Sequence, residues 1–189
     1  MSPISHPHIE TARLLLRPME ESDLDALLGI FGDPMVMAAF DSPPFSRGQM
    51  QGWLQRNLDH QAQHGYGLFS VILKASGQLI GDCGLEIMEV EGAQVAELGY
   101  DFRSDHWNRG LATEAATAVR DFAFGVLGLP QLISLIRAGN GASQRVAEKI
   151  GMQRLPGFAR YDTQYWKYGL ARDRWLDLAR PADHSGDDL

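Results

Sequence analysis

At 189 residues the chain has room for one domain, or for one domain and a tail. Its 44% hydrophobic content supplies a sizeable core and excludes wholesale disorder. A formal charge of −7 excludes a protein that coats DNA or RNA through a basic surface, and it suits a cationic partner such as an amine.

Cys83 is the one cysteine, so neither an intrachain disulfide nor a cysteine-based zinc site can form. It lies inside an apolar run and reads as a buried, inert thiol; a reducing compartment, hence the cytoplasm, is the expectation. Apolar runs long enough to span a bilayer are absent, and Met1 to His8 lack the basic-then-apolar order of a secretory signal. No nucleic-acid or membrane partner is expected, and a homodimer stays open.

Residues 1–8 read as a loose lead-in, 9–179 as the folded domain and 180–189 as a polar, disordered tail. Ala12 to Pro18 predicts a first strand with Leu14 and Leu16 on one face. Ser22-Asp23 offers a cap to a helix striped by Leu24, Leu27, Leu28 and Phe31, which Gly32-Asp33-Pro34 breaks. Asp41 to Phe45 predicts a loop, and Ser46 starts a second helix through Met50, Trp53, Leu54, Asn57 and Leu58. From Tyr66 the period shortens. Gly67 to Lys74 and Gln78 to Ile87 predict a hairpin about Ala75-Ser76-Gly77, and Val95 to Phe102 a third strand after Glu91-Gly92. A glycine-bearing turn then opens a helix carrying Leu111, Ala115, Val119, Phe122 and Val126, ended by Gly128 and Pro130. Leu132 to Ala138 predicts a strand and Asn140 to Ile150 a helix. A strand pair follows, Met152 to Phe158 and Gln164 to Leu170, then a short helix from Arg174 to Ala179. This order predicts an α/β layered domain on a mixed sheet. Three consecutive strands before the turn exclude a doubly wound nucleotide fold.

The turn Trp107-Asn108-Arg109-Gly110-Leu111-Ala112-Thr113 carries the chemistry. The first N–H groups of a helix lack internal partners and meet the positive end of its dipole, which suits a diphosphate. Gly110 and Ala112 are small enough to let the backbone approach it. No Lys-Ser or Lys-Thr follows, so it is not a P-loop. Alone, the turn reads equally as an ordinary strand-to-helix connection.

Its neighbours add weight. On the preceding strand Val95, Glu97, Gly99 and Asp101 share one face, and Ala96, Leu98, Tyr100 and Phe102 the other. Glu97 is a candidate general base, or a solvated outer residue. Asn140 caps the last long helix or reaches a cofactor amide, and Ser143 offers a hydroxyl at the same end. Arg103, Arg109, Arg145 and Lys149 gather near these turns, where they could neutralise phosphates. His60 and His64 have the i, i+4 spacing of a metal site but lack a third ligand, so an exposed helix face is expected.

Five short motifs occur in order: Glu10 to Pro18 with Asp23-Leu24; Leu79 to Leu85; Ala96 to Tyr100; the glycine turn with Ala112 to Ala115; and Asn140 to Ser143 with Glu148 to Met152. Through them the chain resembles the GNAT superfamily of N-acetyltransferases, within it the RimJ/RimL-like branch, over roughly residues 9–171. The resemblance implies acetyl-CoA as the carrier of the diphosphate, without a metal. It also implies two central strands that splay apart to admit pantetheine. The family's Gln/Arg-x-x-Gly-x-Gly/Ala motif falls on Trp107 to Ala112, with Trp107 a departure at its first position. The tyrosine that many members use to protonate the leaving thiolate is replaced by Ala147, while Ser143 matches the serine of the RimJ/RimL-like branch.

The expected reaction is direct transfer of acetyl to a primary amine, of a small molecule or a protein N-terminus. Glu97 would take the proton, and backbone N–H groups from Leu98 through Gly99 to Tyr100 would polarise the thioester carbonyl. The alternative is a non-catalytic acyl-CoA sensor. The segments Asp33 to Ser46 and Gly157 to Thr163 are expected to choose the acceptor.

Overall fold

The computed structural model describes residues 7–90, 92–156, 158–160 and 163–179. The expected disordered tail lies outside these, as do most of the lead-in and much of the second acceptor segment. The described residues form nine strands and six α-helices. In chain order they are β1 (Ile9–Glu10), β2 (Leu14–Pro18), α1 (Leu24–Phe31), α2 (Pro34–Met37), α3 (Arg47–His64), β3 (Leu68–Leu73), β4 (Gln78–Val90) and β5 (Ala93–Phe102). Then come α4 (Leu111–Gly125), β6 (Gln131–Arg137), α5 (Gly141–Lys149), β7 (Gln153–Arg154), β8 (Phe158–Arg160), β9 (Thr163–Ala171) and α6 (Arg172–Ala179). The strands join in the order β1-β2-β3-β4-β5-β6-β9-β7, with β8 also on β9. All pairs are antiparallel except β5 with β6. This is the expected mixed α/β sheet.

Strand alternation sorts the side chains into two cores. Leu14, Leu16, Phe69, Cys83, Leu98 and Phe102 pack against the α4 stripe of Leu111, Ala115, Val119 and Phe122. Leu68 and Leu79 face the other way, onto Leu27, Ile30 and Phe31 of α1 and Met50 and Leu54 of α3. The sheet thus separates an α4–α5 layer from an α1–α3 layer.

Several sequence expectations shift. Val126, read as part of the apolar stripe, caps α4 and is 73% exposed, because the helix stops at Gly125. The break at Gly32 opens a further short helix: Asp33 caps α2 by accepting from the Met35 N–H at 2.8 Å, with Pro34 in the first turn. Asp23 stands at the start of α1 as expected but makes no side-chain cap bond to it. A 3-10 turn at Glu21–Asp23 leads into α1, and the Asp23 carboxylate accepts two bonds from Arg17 (2.8 and 2.6 Å), one from the Ser70 hydroxyl (2.7 Å) and one from the Glu20 amide (3.0 Å). It pins β2, β3 and α1 together. The expected strand over Met152 to Phe158 is split into β7 and β8, both on β9. His60 is not on an exposed face: its Nε2 accepts from the Ile87 N–H at 3.0 Å, and its ring lies 4.4 Å from that of His64.

β5 and β6 decide where anything can bind. Over strands of ten and seven residues they share a single register pair, Glu97 with Ile133. Beyond it the two strands diverge. Two side chains bridge the opening: the Ser134 hydroxyl donates to the Leu98 carbonyl at 2.9 Å, and the Leu135 N–H donates to Glu97 Oε1 at 3.0 Å. Past these ties the β6-facing edge of β5 is open, an unfilled ladder that an extended ligand can enter.

Candidate active site

Two cavities meet at this split. The first, about 410 Å³, lies at the start of α4 and is bounded by the whole turn from Trp107 through Asn108, Arg109, Gly110, Leu111 and Ala112 to Thr113. Tyr100, Asn140 and Ser143 close its inner end, and Arg145 and Lys149 stand on its α5 side.

The turn is shaped by two left-handed residues, Asn108 at φ +60° and Gly110 at φ +75°. Asparagine and glycine are the types that tolerate this region. The first helical bond runs from the Glu114 N–H to the Gly110 carbonyl at 3.0 Å, so the amides of Leu111 to Thr113 lie ahead of the ladder. Trp107 packs beside the turn, its indole N–H donating to the Phe102 carbonyl at 2.8 Å.

A brace behind the turn was not visible in the sequence. Glu114 accepts from the Thr11 hydroxyl (2.6 Å), the Arg13 amide (2.8 Å) and Arg13 Nε (2.6 Å), and Arg13 Nη1 donates to the Arg109 carbonyl at 2.9 Å. The β1–β2 connection thus holds the first turn of α4 in place. Burial alone would raise the Glu114 carboxyl, but these donors hold it below its ordinary value. The family motif around Arg13 and the Ala112-Thr113-Glu114-Ala115 tail therefore have one joint purpose. Arg103, expected near the phosphates, is instead turned onto Asp105 at 2.9 Å.

The α5 end is equally specific. Asn140 caps the helix, its Oδ1 accepting from the Ser143 N–H at 3.1 Å. The Tyr100 hydroxyl donates to the Ser143 carbonyl at 2.7 Å, tying β5 to α5 beneath the gap. Burial drives the Tyr100 phenol far above its usual value, so it stays a neutral donor. Ala147 is fully buried where the resemblance would place a tyrosine.

The second cavity, about 450 Å³, opens on the opposite face of β5, under α1 to α3. It shares Tyr100, Asp101, Asn140 and Ser143 with the first, so the two are joined through the split. Leu98, Gly99 and Glu97 line it at the point where the strands part. Its floor is acidic. In the β4–β5 register Glu86 opposes Glu97 and Asp82 opposes Asp101, with Gly84 opposite Gly99 between them. A Cβ at Gly84 would run into the Gly67 carbonyl, which already accepts from the Leu85 N–H at 3.1 Å. That contact explains the glycine in the middle of the motif. Burial raises Asp82 well above the carboxylate range and, with the neighbouring Glu86 charge, pushes Asp101 up to about 7. Sequence reading placed Asp101 on the Glu97 face but missed Asp82 and Glu86, because their strand read only as an apolar run.

The sheet is split at its centre, with the open start of α4 on one side of the gap and an acidic cavity on the other. The profile of the Acetyltransferase (GNAT) domain matches residues 13–153. The YkkB protein of Bacillus subtilis is 38% identical over 75% of this chain and 83% of its own length. The N-acetyltransferase p20 of Bacillus licheniformis is 31% identical, covering 89% of this chain and 90% of its own. The crystal structure of an acetyltransferase from Agrobacterium tumefaciens superposes with a TM-score of 0.77 at 31% identity, over 88% of this chain and 95% of that one. The chain belongs to the GNAT family and is an acetyltransferase; the sensor alternative is set aside. Among the described residues no cluster of three or more His, Cys, Asp or Glu side chains is arranged to hold a metal ion, and no helix is long and apolar enough to cross a membrane.

Proposed function

We propose that the protein transfers acetyl from acetyl-CoA directly to a primary amine, with Glu97 as the proton acceptor. The observation that carries this reading is the single Glu97–Ile133 register pair, beyond which the sheet opens where the two cavities join. The diphosphate of the donor sits on the amides of Leu111, Ala112 and Thr113, with Trp107, Asn108, Arg109 and Gly110 shaping the turn. Its pantetheine amides run along the open edge of β5, and N–H groups of Leu98, Gly99 or Tyr100 polarise the thioester carbonyl. Asn140 acts through its cap, which sets the position of Ser143. The RimJ/RimL-like placement rests on the motifs at Glu10 to Pro18 and Asn140 to Ser143, and the lone cysteine fits a cytoplasmic setting.

The amine must lose a proton to attack. At neutral pH an α-amino group with a pKa near 8 is roughly a tenth neutral, whereas an alkylammonium near 10.4 is neutral to well under about a thousandth. A base therefore counts most for alkylamines. In the reaction the amine nitrogen bonds to the thioester carbon, the carbon–sulfur bond breaks, and the ammonium proton passes to Glu97 directly or through a water. The departing thiolate, with a pKa near 8.5, takes a proton from solvent, directly or relayed through the Ser143 hydroxyl, which regains one from water as it donates.

Release of CoA thiol in the presence of an amine panel tests this. Glu97→Gln is expected to lower turnover at neutral pH by about 10²-fold or more. Full turnover by that variant would remove the base assignment. Undetectable association of CoA with the wild-type protein by calorimetry would remove the donor site.

A further inference from the structure

One buried acid in the second cavity lacks a partner. Asp82 is fully buried, lines the cavity, and neither of its carboxylate oxygens meets a hydrogen-bond donor among the described residues. Buried polar groups nearly always have a partner, because leaving one without costs stability. Asp101 stands directly across the ladder from it, and Glu86 lies two residues beyond Gly84 on the same face. The family reaction, as laid out above, needs one carboxylate near the split. It gives no task to a second acidic pair four residues further along, about 13 Å away at the backbone.

The surroundings favour an organic cation over other occupants. Phe31, Phe40, Phe45, Trp53 and Tyr165 line the same cavity, and aromatic faces attract ammonium groups. The one cationic side chain lining it, among the described residues, is Arg137, which is paired with Asp41 at 3.2 Å. The acids do not have the arrangement of a metal site.

We propose that the acceptor is an aliphatic amine with two cationic centres: its second ammonium is held by Asp82 and Asp101 while the first reacts beside Glu97. This rests on the transferase reading above and deepens it. The methylene chain between the two centres runs along β5 over Gly99, where the floor carries no side chain and a Cβ would meet only Leu68 at 3.9 Å, and under the aromatic walls. A monoamine, or a protein N-terminus with its following amides, would leave the Asp82 oxygens without a hydrogen-bond partner. A diamine of matching length supplies one. The second ammonium also screens Asp82 from Asp101, the like-charged neighbour that opposes its ionisation.

The test is calorimetry on the CoA-bound protein with two probes of equal chain length, hexamethylenediamine and hexylamine, alongside thiol release from acetyl-CoA with the same pair and with a short peptide bearing a free N-terminus. The diamine is expected to bind at least about tenfold tighter than the monoamine, and Asp82→Asn or Asp101→Asn to reduce that ratio by about tenfold. Equal binding of the two amines by the wild-type protein overturns the proposal whatever the variants do, as does a peptide that outperforms the diamine in turnover. Selective diamine binding without thiol release would leave the recess assignment standing and overturn the transferase chemistry instead.

Discussion

The two cavities are built from different materials. The one at the start of α4 is made of backbone: two left-handed residues, the amides ahead of the helix ladder, and a brace that grips main-chain and side-chain atoms of the first turn. The one under α1 to α3 is made of side chains, with four carboxylates on one sheet face and aromatic rings above them. A backbone site tolerates side-chain changes. A side-chain site can be rewritten residue by residue, which is why the proposed reading puts acceptor choice there. Trp107 illustrates the first half: it departs from the family motif, yet its indole holds the strand end without altering the amides.

The largest expected effect falls on the side-chain cavity. Glu97→Gln should lose about 10²-fold or more in kcat/KM with amines while the affinity for CoA, read by calorimetry, stays within about twofold of wild type. A parallel loss of CoA affinity would show that the two cavities are not separable. Next comes the junction of β2, β3 and α1. Asp23→Ala leaves Arg17 without its close carboxylate partner and should cost about 3 kcal/mol in denaturant unfolding. The sign with pH follows from the cause. Burial works against the ionised Asp23, but Arg17, Ser70 and the Glu20 amide hold its pKa below the usual value. Its contribution is present above about pH 4 and is lost as pH falls through the depressed folded value.

Gly110→Val bears on the backbone cavity alone. A β-branched residue at φ +75° should cost about 1–2 kcal/mol and weaken CoA binding, with little space conflict since a Cβ there meets only Arg13 Nη2 at 3.6 Å. Trp107→Phe, by contrast, should change CoA affinity by about threefold or less. The last prediction runs against the usual behaviour of an acid. Asp101, raised to about 7 by burial and by Glu86, holds a proton in the folded state that the unfolded chain releases near pH 4. Stability therefore falls as pH rises from about 4 to about 7. Asp101→Asn should flatten that slope and raise Tm at about pH 8, a gain in stability obtained by dismantling a binding feature. An unchanged slope would mean that Asp101 ionises freely.

Much of the fold could be read from period and punctuation. The α3 cap at Ser46, the α5 cap at Asn140 and the switch from helical to strand period near Tyr66 all reflect contacts within a few residues, and those are the contacts a local pattern encodes. Asp33-Pro34 carried a start signal as well as a break, and only the break was read. The turn from Trp107 to Thr113 was legible because its chemistry is its own backbone. Arg13 and Glu114 were not legible as a brace, since their hydrogen bonds join positions 101 residues apart. Asp82 was hidden for another reason: acids scattered within an apolar strand give no sign of what lies opposite them across the sheet.

The amino-acid order alone settled the alternation of elements, the glycine-bearing start of α4, and the face of β5 that carries Glu97, because each follows from the geometry of neighbouring residues. Only the assembled sheet decided that β5 and β6 share one register pair and then part, and that Asp82 and Glu86 join Asp101 and Glu97 on one floor. Those outcomes depend on register between distant strands, which no local pattern contains.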